Sequence, residues 1–204
     1  MDEARRRFAD ELYAVSQEHD HAHADRLERF RNVEPPTAEL LGVLIRATGA
    51  RRVLELGTSN GYSTLWLADA VEATGGWVLS IDLDAARTEL ARANLTATGL
   101  SEFVELRSEN AADALARSED GAWDFVFLDA ERPAYPGYVR DLVRTLAPGG
   151  LLAVDNVISH EHELVEFTAL IEAEPALTQT VVPVGAGVRL AVRDPLPRRG
   201  RRVG

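Results

Sequence analysis

Residues Val53–Ala68, VLELGTSNGYSTLWLA, run from a short apolar segment through a turn carrying Gly57 and Gly61 into a helical pattern. Strand, glycine turn and helix in that order open an α/β sheet, and ligands in such sheets sit beyond the carboxyl ends of the strands, where the strand order reverses. A dinucleotide loop would read G-x-G-x-x-G and bring the backbone against two phosphates. Here Gly57-Thr-Ser-Asn-Gly61 lacks one of those glycines and sets polar side chains between the two that remain. A looser loop suits a ligand without phosphates that carries a carboxylate, an amine and a nucleoside. The next strand ends at Asp82, and a carboxylate placed there can accept both ribose hydroxyls. The pair favours S-adenosylmethionine over NAD, with the N–H groups of the helix that begins near Gly61 facing the methionine carboxylate. The plainer alternatives are a glycine turn that only joins strand to helix and an Asp82 that caps the following helix.

Outward from this stretch the pattern alternates. Strands are expected at Arg52–Leu56, Trp77–Leu83, Phe103–Leu106, Trp123–Asp129 and Leu151–Asp155, with helices at Tyr62–Ala73, Ala85–Thr98, Ala111–Arg117 and Tyr138–Leu146. Nearly continuous apolar runs such as WDFVFLD and GLLAVDN suit a parallel sheet buried on both faces. The alternation predicts a doubly wound, Rossmann-like sheet of about seven strands. A helix near Glu161–Glu172 precedes Thr180–Val184 and Val188–Arg193, which flank Gly185-Ala-Gly187 and read as a closing antiparallel hairpin. Upstream, Asp2 to Phe30 reads as one or two amphipathic helices, broken by Pro35-Pro36 before a helix over Thr37–Thr48. This is one domain over residues 1–194, with N-terminal helices in 1–48 and the core in 51–194; residues 195–204, rich in Pro, Gly and Arg, read as a disordered tail.

At 204 residues with 46% hydrophobic and 27% charged residues, the composition is that of a soluble globular protein. No apolar run approaches the roughly 18 residues that a membrane span needs, and the N-terminus lacks the apolar segment of a signal peptide. The absence of cysteine excludes disulfides and thiolate chemistry and is compatible with a cytoplasmic location. A net charge of −11 disfavours nucleic acid and anionic lipid as partners. All 22 basic residues are arginine, so a catalytic lysine is impossible.

The ordered set NVEPPTAELL, LELGTSNGYSTLWLA, IDLD, DFVFLDAERPAY, APGGLLAVDN and VPVGAGVRLAVR resembles class I S-adenosylmethionine-dependent O-methyltransferases, from about Asn32 to Arg193. The closest resemblance is to the branch of catechol and caffeoyl-CoA O-methyltransferases and their bacterial relatives. The resemblance implies that Val33 borders the methionine end of S-adenosyl-L-methionine and that Gly57, Ser59, Gly61 and Ser63 line it. It further implies that Asp82 holds the ribose, that Leu83 packs on the adenine, and that Asn110 and Ala111 sit at the adenine edge, although SENAAD departs from the family's G-x-A pattern. Asp129, which would also border the cofactor, becomes a metal ligand with Asp155 and Asn156. Those side chains offer hard oxygen donors at strand ends, which suits Mg²⁺ or Mn²⁺, or Ca²⁺, rather than zinc. A cation of that kind binds adjacent hydroxyls and lowers the pKa of one. A strand-end turn is the simpler explanation of Asp155-Asn156.

The main departure is Arg132, which stands where the family carries a lysine base. A guanidinium with a pKa above about 12 cannot take a proton, so Arg132 is expected to stabilise an oxyanion, or else to be an arginine paired with a carboxylate. Glu131 is an alternative base. The cluster His19, His21 and His23 reads as a solvated helix face rather than a metal site, and His160 and His162 could line the substrate mouth or cap the next helix. The leading function is O-methylation of a catechol-like or other small hydroxylated acceptor with a divalent cation, by a homodimer. Beside it stand a metal-independent methyltransferase of the same fold, a non-catalytic cofactor-binding protein and, last, a nicotinamide dehydrogenase.

Overall fold

The N-terminal half-turn is set by Asp2, whose carboxylate accepts the Arg5 N–H at 2.8 Å and starts α1 (Glu3–Ala22). Pro35 and Pro36 then open α2 (Pro35–Thr48) instead of preceding it, because proline fits the first turn, where its missing N–H has no partner to lose. Beyond Gly49 come β1 (Arg52–Leu56), α3 (Tyr62–Thr74), β2 (Trp77–Asp82), α4 (Ala85–Ala97), β3 (Val104–Ser108), α5 (Ala111–Arg117), β4 (Trp123–Leu128), α6 (Tyr135–Thr145), β5 (Leu146–Val154), α7 (Val165–Glu172), β6 (Leu177–Val182) and β7 (Val188–Arg193). The computed structural model describes residues 1–195. Apart from Pro195, the expected tail over 195–204 lies outside the described residues.

The sheet has seven strands in the order β3-β2-β1-β4-β5-β7-β6, parallel through β5 and antiparallel in the two strands that close it. Successive residues of the central strands serve opposite faces, as the period of two requires. Leu54, Leu56, Val126 and Leu128 pack with α5, α6 and α7, while Val53, Phe125 and Phe127 pack with α2 and α3. The strand order reverses between β1 and β4, so a crevice opens beyond their carboxyl ends.

Several expected boundaries differ, among them β3, found at Val104–Ser108, and β6, found at Leu177–Val182 where Thr180–Val184 was expected. β5 begins at Leu146, not Leu151, because the Ala-Pro-Gly-Gly segment rejoins the sheet across a register shift opposite Trp123–Phe125. α6 starts at Tyr135 with Pro136 inside its first turn. The expected helix over 161–172 divides into a 3₁₀ turn at Glu161–Glu163 and α7. Residues 23–34 form no second helix and run as an irregular strap from α1 to α2.

Candidate active site

The glycine turn is shaped by close backbone contact. Gly57 has φ 110°, and a Cβ there would lie 2.1 Å from the Asp129 carbonyl oxygen, so only glycine lets β1 and β4 end side by side. The Gly57 N–H continues the ladder to Ile81 O at 2.8 Å, and the Asp129 N–H does the same to Leu56 O at 2.9 Å. Gly61, at φ 86°, would bring a Cβ to 2.8 Å from Ala91 Cβ; it packs α3 on α4 and does not line the crevice.

Between these strand ends and the strap lies a cleft of about 420 Å³, within the usual size range for small-molecule sites. Of the residues singled out in the sequence, Val33, Gly57, Ser59, Ser63, Asp82, Leu83, Asn110, Ala111, Asp129, Arg132 and Asn156 line it. Asp155 lies behind Asn156 and is 2% exposed.

One wall holds Asp82, whose two carboxylate oxygens accept the Ser59 N–H at 2.7 Å and the Asp84 N–H at 2.9 Å. The cap of α4 is Asp84, not Asp82, so the capping alternative for Asp82 falls away. Leu83 projects beside it, 71% exposed. Asn110 caps α5 by accepting the Ala112 N–H. Beneath the glycine loop, fully buried Glu55 accepts hydroxyl hydrogen bonds from Ser63 and Ser80, each at 2.6 Å, and from Thr64. Burial outweighs those three donors and pushes its carboxyl up to about 7.

The other end gathers Asp129, Asp155 and Asn156. The Asn156 amide nitrogen donates to Asp129 Oδ1 at 3.2 Å and to Asp155 Oδ2 at 3.0 Å, while Asp155 Oδ1 is buried without a partner. Burial drives both carboxyls above the ordinary range, and each carboxylate raises the other's cost; Arg31 and Arg132 pull Asp129 the opposite way. Two carboxylates and an amide are a hard-oxygen donor set of the kind that suits an alkaline-earth cation or Mn²⁺. No group of three His, Cys, Asp or Glu side chains is arranged to hold a metal ion among the described residues.

Arg132 is buried, and its Nε donates to Glu163 at 2.7 Å. Burial works to raise the Glu131 carboxyl, but the bond from Arg31 and the charges of Arg31, Arg26 and Arg132 hold it below its usual value, which makes it a poor base. His160 lines the cleft, with burial and Arg132 lowering its pKa, whereas His162 is exposed and stays outside. The expected solvated histidine face is partly wrong. His19 stacks on His23 at 4.0 Å and on Phe30 at 4.1 Å, and supports the strap.

The strap is the part of the site that sequence reading missed. Arg26, Arg29, Phe30, Arg31 and Asn32 line the cleft with Val33. Asp20 accepts the N–H groups of Phe30 at 2.7 Å and Arg31 at 2.8 Å, Ser59 Oγ donates to Phe30 O at 2.8 Å, and Arg87 donates to Leu27 O and Arg29 O. Arg31 is held at φ 54°, a left-handed conformation that costs a non-glycine residue on the order of 1–3 kcal/mol. Its sequence signal was the polar, arginine-rich interval between two helices, which alone does not indicate where it docks.

A reversing α/β sheet with a phosphate-free glycine loop and a ribose-compatible acid defines a Rossmann-like class I methyltransferase. The family model described as O-methyltransferase matches residues 11–194. A catechol O-methyltransferase from Niastella koreensis is 32% identical over 166 residues, covering 74% of this chain and 75% of that protein. The chain therefore belongs to the O-methyltransferase family. Among solved structures, an O-methyltransferase from Bacillus cereus in complex with SAH superposes with a TM-score of 0.75 at 28% identity, covering 92% of this chain and 90% of that one. The O-methyltransferase of tomaymycin synthesis from Streptomyces achromogenes, in complex with SAM, gives 0.76 at 27% identity, covering 95% and 91%.

Proposed function

We propose that this O-methyltransferase moves the methyl group of S-adenosyl-L-methionine to an oxygen of a small catechol-like acceptor, with a divalent cation at Asp129, Asp155 and Asn156. The observation that carries the reading is one cleft with two chemically distinct ends. At one end Asp82 and Leu83 offer a ribose acceptor and an apolar adenine surface beside the Gly57 loop. At the other, Asp129 and Asn156 face the cleft with buried Asp155 behind them.

When bound, such a cation supplies Lewis acidity that lowers the pKa of an acceptor hydroxyl. The chain's residues do the rest. Asp82 and the glycine loop hold the cofactor at one end, and the strap covers the cleft. Arg132, braced by Glu163, offers positive charge to an acceptor oxygen as its proton leaves. Neither Arg132 nor the acid-shifted Glu131 is suited to take that proton, which therefore passes to solvent, and S-adenosylhomocysteine leaves once the methyl group has moved. Bringing the acceptor oxygen in line with the methyl group then accounts for much of the acceleration, as positioning alone can. A second reading, metal-independent transfer, is favoured by the Asn156 amide, which already bridges both carboxylates. The homodimer, with no nucleic-acid or membrane partner, belongs to the same proposal; no helix among the described residues is long and apolar enough to cross a membrane.

The deciding experiment incubates the protein with S-adenosylmethionine and a catechol panel, with and without EDTA. Mg²⁺ or Mn²⁺ should restore turnover and raise the melting temperature, since a ligand that binds only the folded state stabilises it. Asp155→Ala should abolish turnover while leaving S-adenosylhomocysteine affinity nearly intact. Full turnover in EDTA selects the metal-independent reading.

A further inference from the structure

Arg31 is built with more effort than a surface ion pair needs. Its backbone is left-handed, held there by two hydrogen bonds to Asp20. Its side chain lines the same cleft as Asp129. One Nη donates to Glu131 at 2.5 Å, whereas Nε is buried with no partner. A guanidinium presents a planar fork that matches a carboxylate in bidentate geometry. One Nη of the Arg31 fork is therefore engaged, while Nε is desolvated and unsatisfied.

The surrounding charge points the same way. Glu131 is paired by both Arg31 and Arg26, and Glu163 by both Arg26 and Arg132. Three guanidiniums thus share two carboxylates along this wall. The chain as a whole carries −11, so three guanidiniums gathered beside Glu131, Glu163 and Asp129 are a local departure from that excess of acid.

We infer that Arg31 holds a carboxylate in the cleft, and that the acceptor class is accordingly a hydroxylated aryl acid rather than neutral catechol. This rests on the O-methyltransferase reading for its acceptor. A carboxylate can also come from the methionine end of the cofactor, because Val33, two residues on, lines the same cleft. An ion pair whose only role is to tie the strap to Glu131 would show neither preference.

The test compares the parent, Arg31→Gln and Arg31→Lys. Calorimetry measures S-adenosylhomocysteine affinity, then the binding of 3,4-dihydroxybenzoate and of catechol to the S-adenosylhomocysteine-loaded protein with Mg²⁺. Methylation of both acceptors is measured separately. The parent should bind the acid at least about tenfold more tightly than catechol, the scale of a charge-assisted hydrogen bond. Arg31→Gln should erase most of that preference and Arg31→Lys should keep part of it, since lysine retains the charge without the fork. A roughly tenfold loss of S-adenosylhomocysteine affinity in Arg31→Gln, with the acid preference unchanged, assigns the carboxylate to the cofactor. Equal affinity of the parent for acid and catechol, with S-adenosylhomocysteine affinity unmoved in both variants, overturns the inference. Should Arg31→Gln fail to fold, the parent preference and the Arg31→Lys titrations decide. Preferential acid binding without methylation of either compound would keep the role of Arg31 and overturn the catechol-type transfer reading instead.

Discussion

Replacing Glu55 by Gln tests the buried network under the glycine loop. The carboxyl is fully buried, with its folded-state pKa raised from 4.5 to about 7. A raised acid binds more protons folded than unfolded, so it costs stability as pH climbs from about 4.5 to 7, and the cost levels off above that. The shift of roughly two to three units corresponds to about 3 kcal/mol at full ionisation. Glutamine keeps the shape and cannot ionise. At pH 4.5 the two proteins should therefore differ only by the rearrangement of the Ser63, Thr64 and Ser80 hydroxyls, about 1–3 kcal/mol against glutamine if one bond goes unmade. Between pH 4.5 and 8 the balance should move toward glutamine by about 3 kcal/mol, or roughly 6–12 °C in melting temperature for a chain of this size. Urea unfolding at a series of pH values reads this difference, together with a smaller contribution from Asp129, whose charge adds to the rise at Glu55. Since Ser63 lines the cleft, S-adenosylhomocysteine affinity should also fall severalfold. Parallel stability curves for parent and variant would refute the reasoning, because Glu55 would then not be titrating in that window.

Asp82→Ala should weaken S-adenosylmethionine binding by roughly 1.5–3 kcal/mol, the range for hydrogen bonds to a charged group; an unchanged calorimetric affinity would remove Asp82 from the site. Gly57→Ala should destabilise by at least about 2 kcal/mol, combining φ strain with a steric clash, because its Cβ would meet the Asp129 carbonyl. A parental urea midpoint would show that the loop yields instead. Arg132→Ala should lower kcat more than it changes cofactor affinity, while Arg132→Lys keeps much of the rate and adds an ionisation to the pH–rate profile. If both variants match the parent in turnover, Arg132 serves only as the structural partner of Glu163.

The half of the cleft proposed to hold the cofactor was legible in the sequence because sheet physics places it. β1, β2 and β4 are short apolar runs whose ends follow from where the apolar residues stop, so Gly57, Asp82 and Asp129 must emerge at one rim. The acid pair with Asn156 was legible for the same reason. Gly61 and Asp155 sit one layer behind the cleft surface, since a chain position at a strand end does not say which side chain fronts the cleft. Apart from Val33, which the resemblance placed beside the cofactor, the strap was not legible. Its bonds join residues far apart in sequence, Asp20 to Arg31 and Arg87 to Leu27, and no local period encodes such pairings.

The two halves of the cleft are mechanically joined through Ser59. Its N–H is held by Asp82 and its hydroxyl holds the Phe30 carbonyl, while its own backbone sits at φ 48°. Asp82 therefore reaches Arg31 through two hydrogen bonds and one peptide unit. At the opposite end the loop after β5 is held by the β6–β7 hairpin tip. Val157 N–H donates to Gly187 O at 3.0 Å, and Ile158 and Ser159 N–H both donate to Ala186 O. Gly187 permits this at φ 91°, since a Cβ there would lie 2.4 Å from Ile158 Cγ1. Both acceptor-facing segments are thus loops on a rigid frame, the usual place for specificity to vary. They differ in one respect. The Asn156 loop is anchored to the closing hairpin and, through the Asn156 amide, to Asp129, whereas the strap is anchored through Ser59 to the acid proposed to hold the ribose. Each Asp82 oxygen accepts one N–H and keeps capacity for a further donor, so a ribose proposed to bind there shares the carboxylate that positions Ser59 and, through it, the strap.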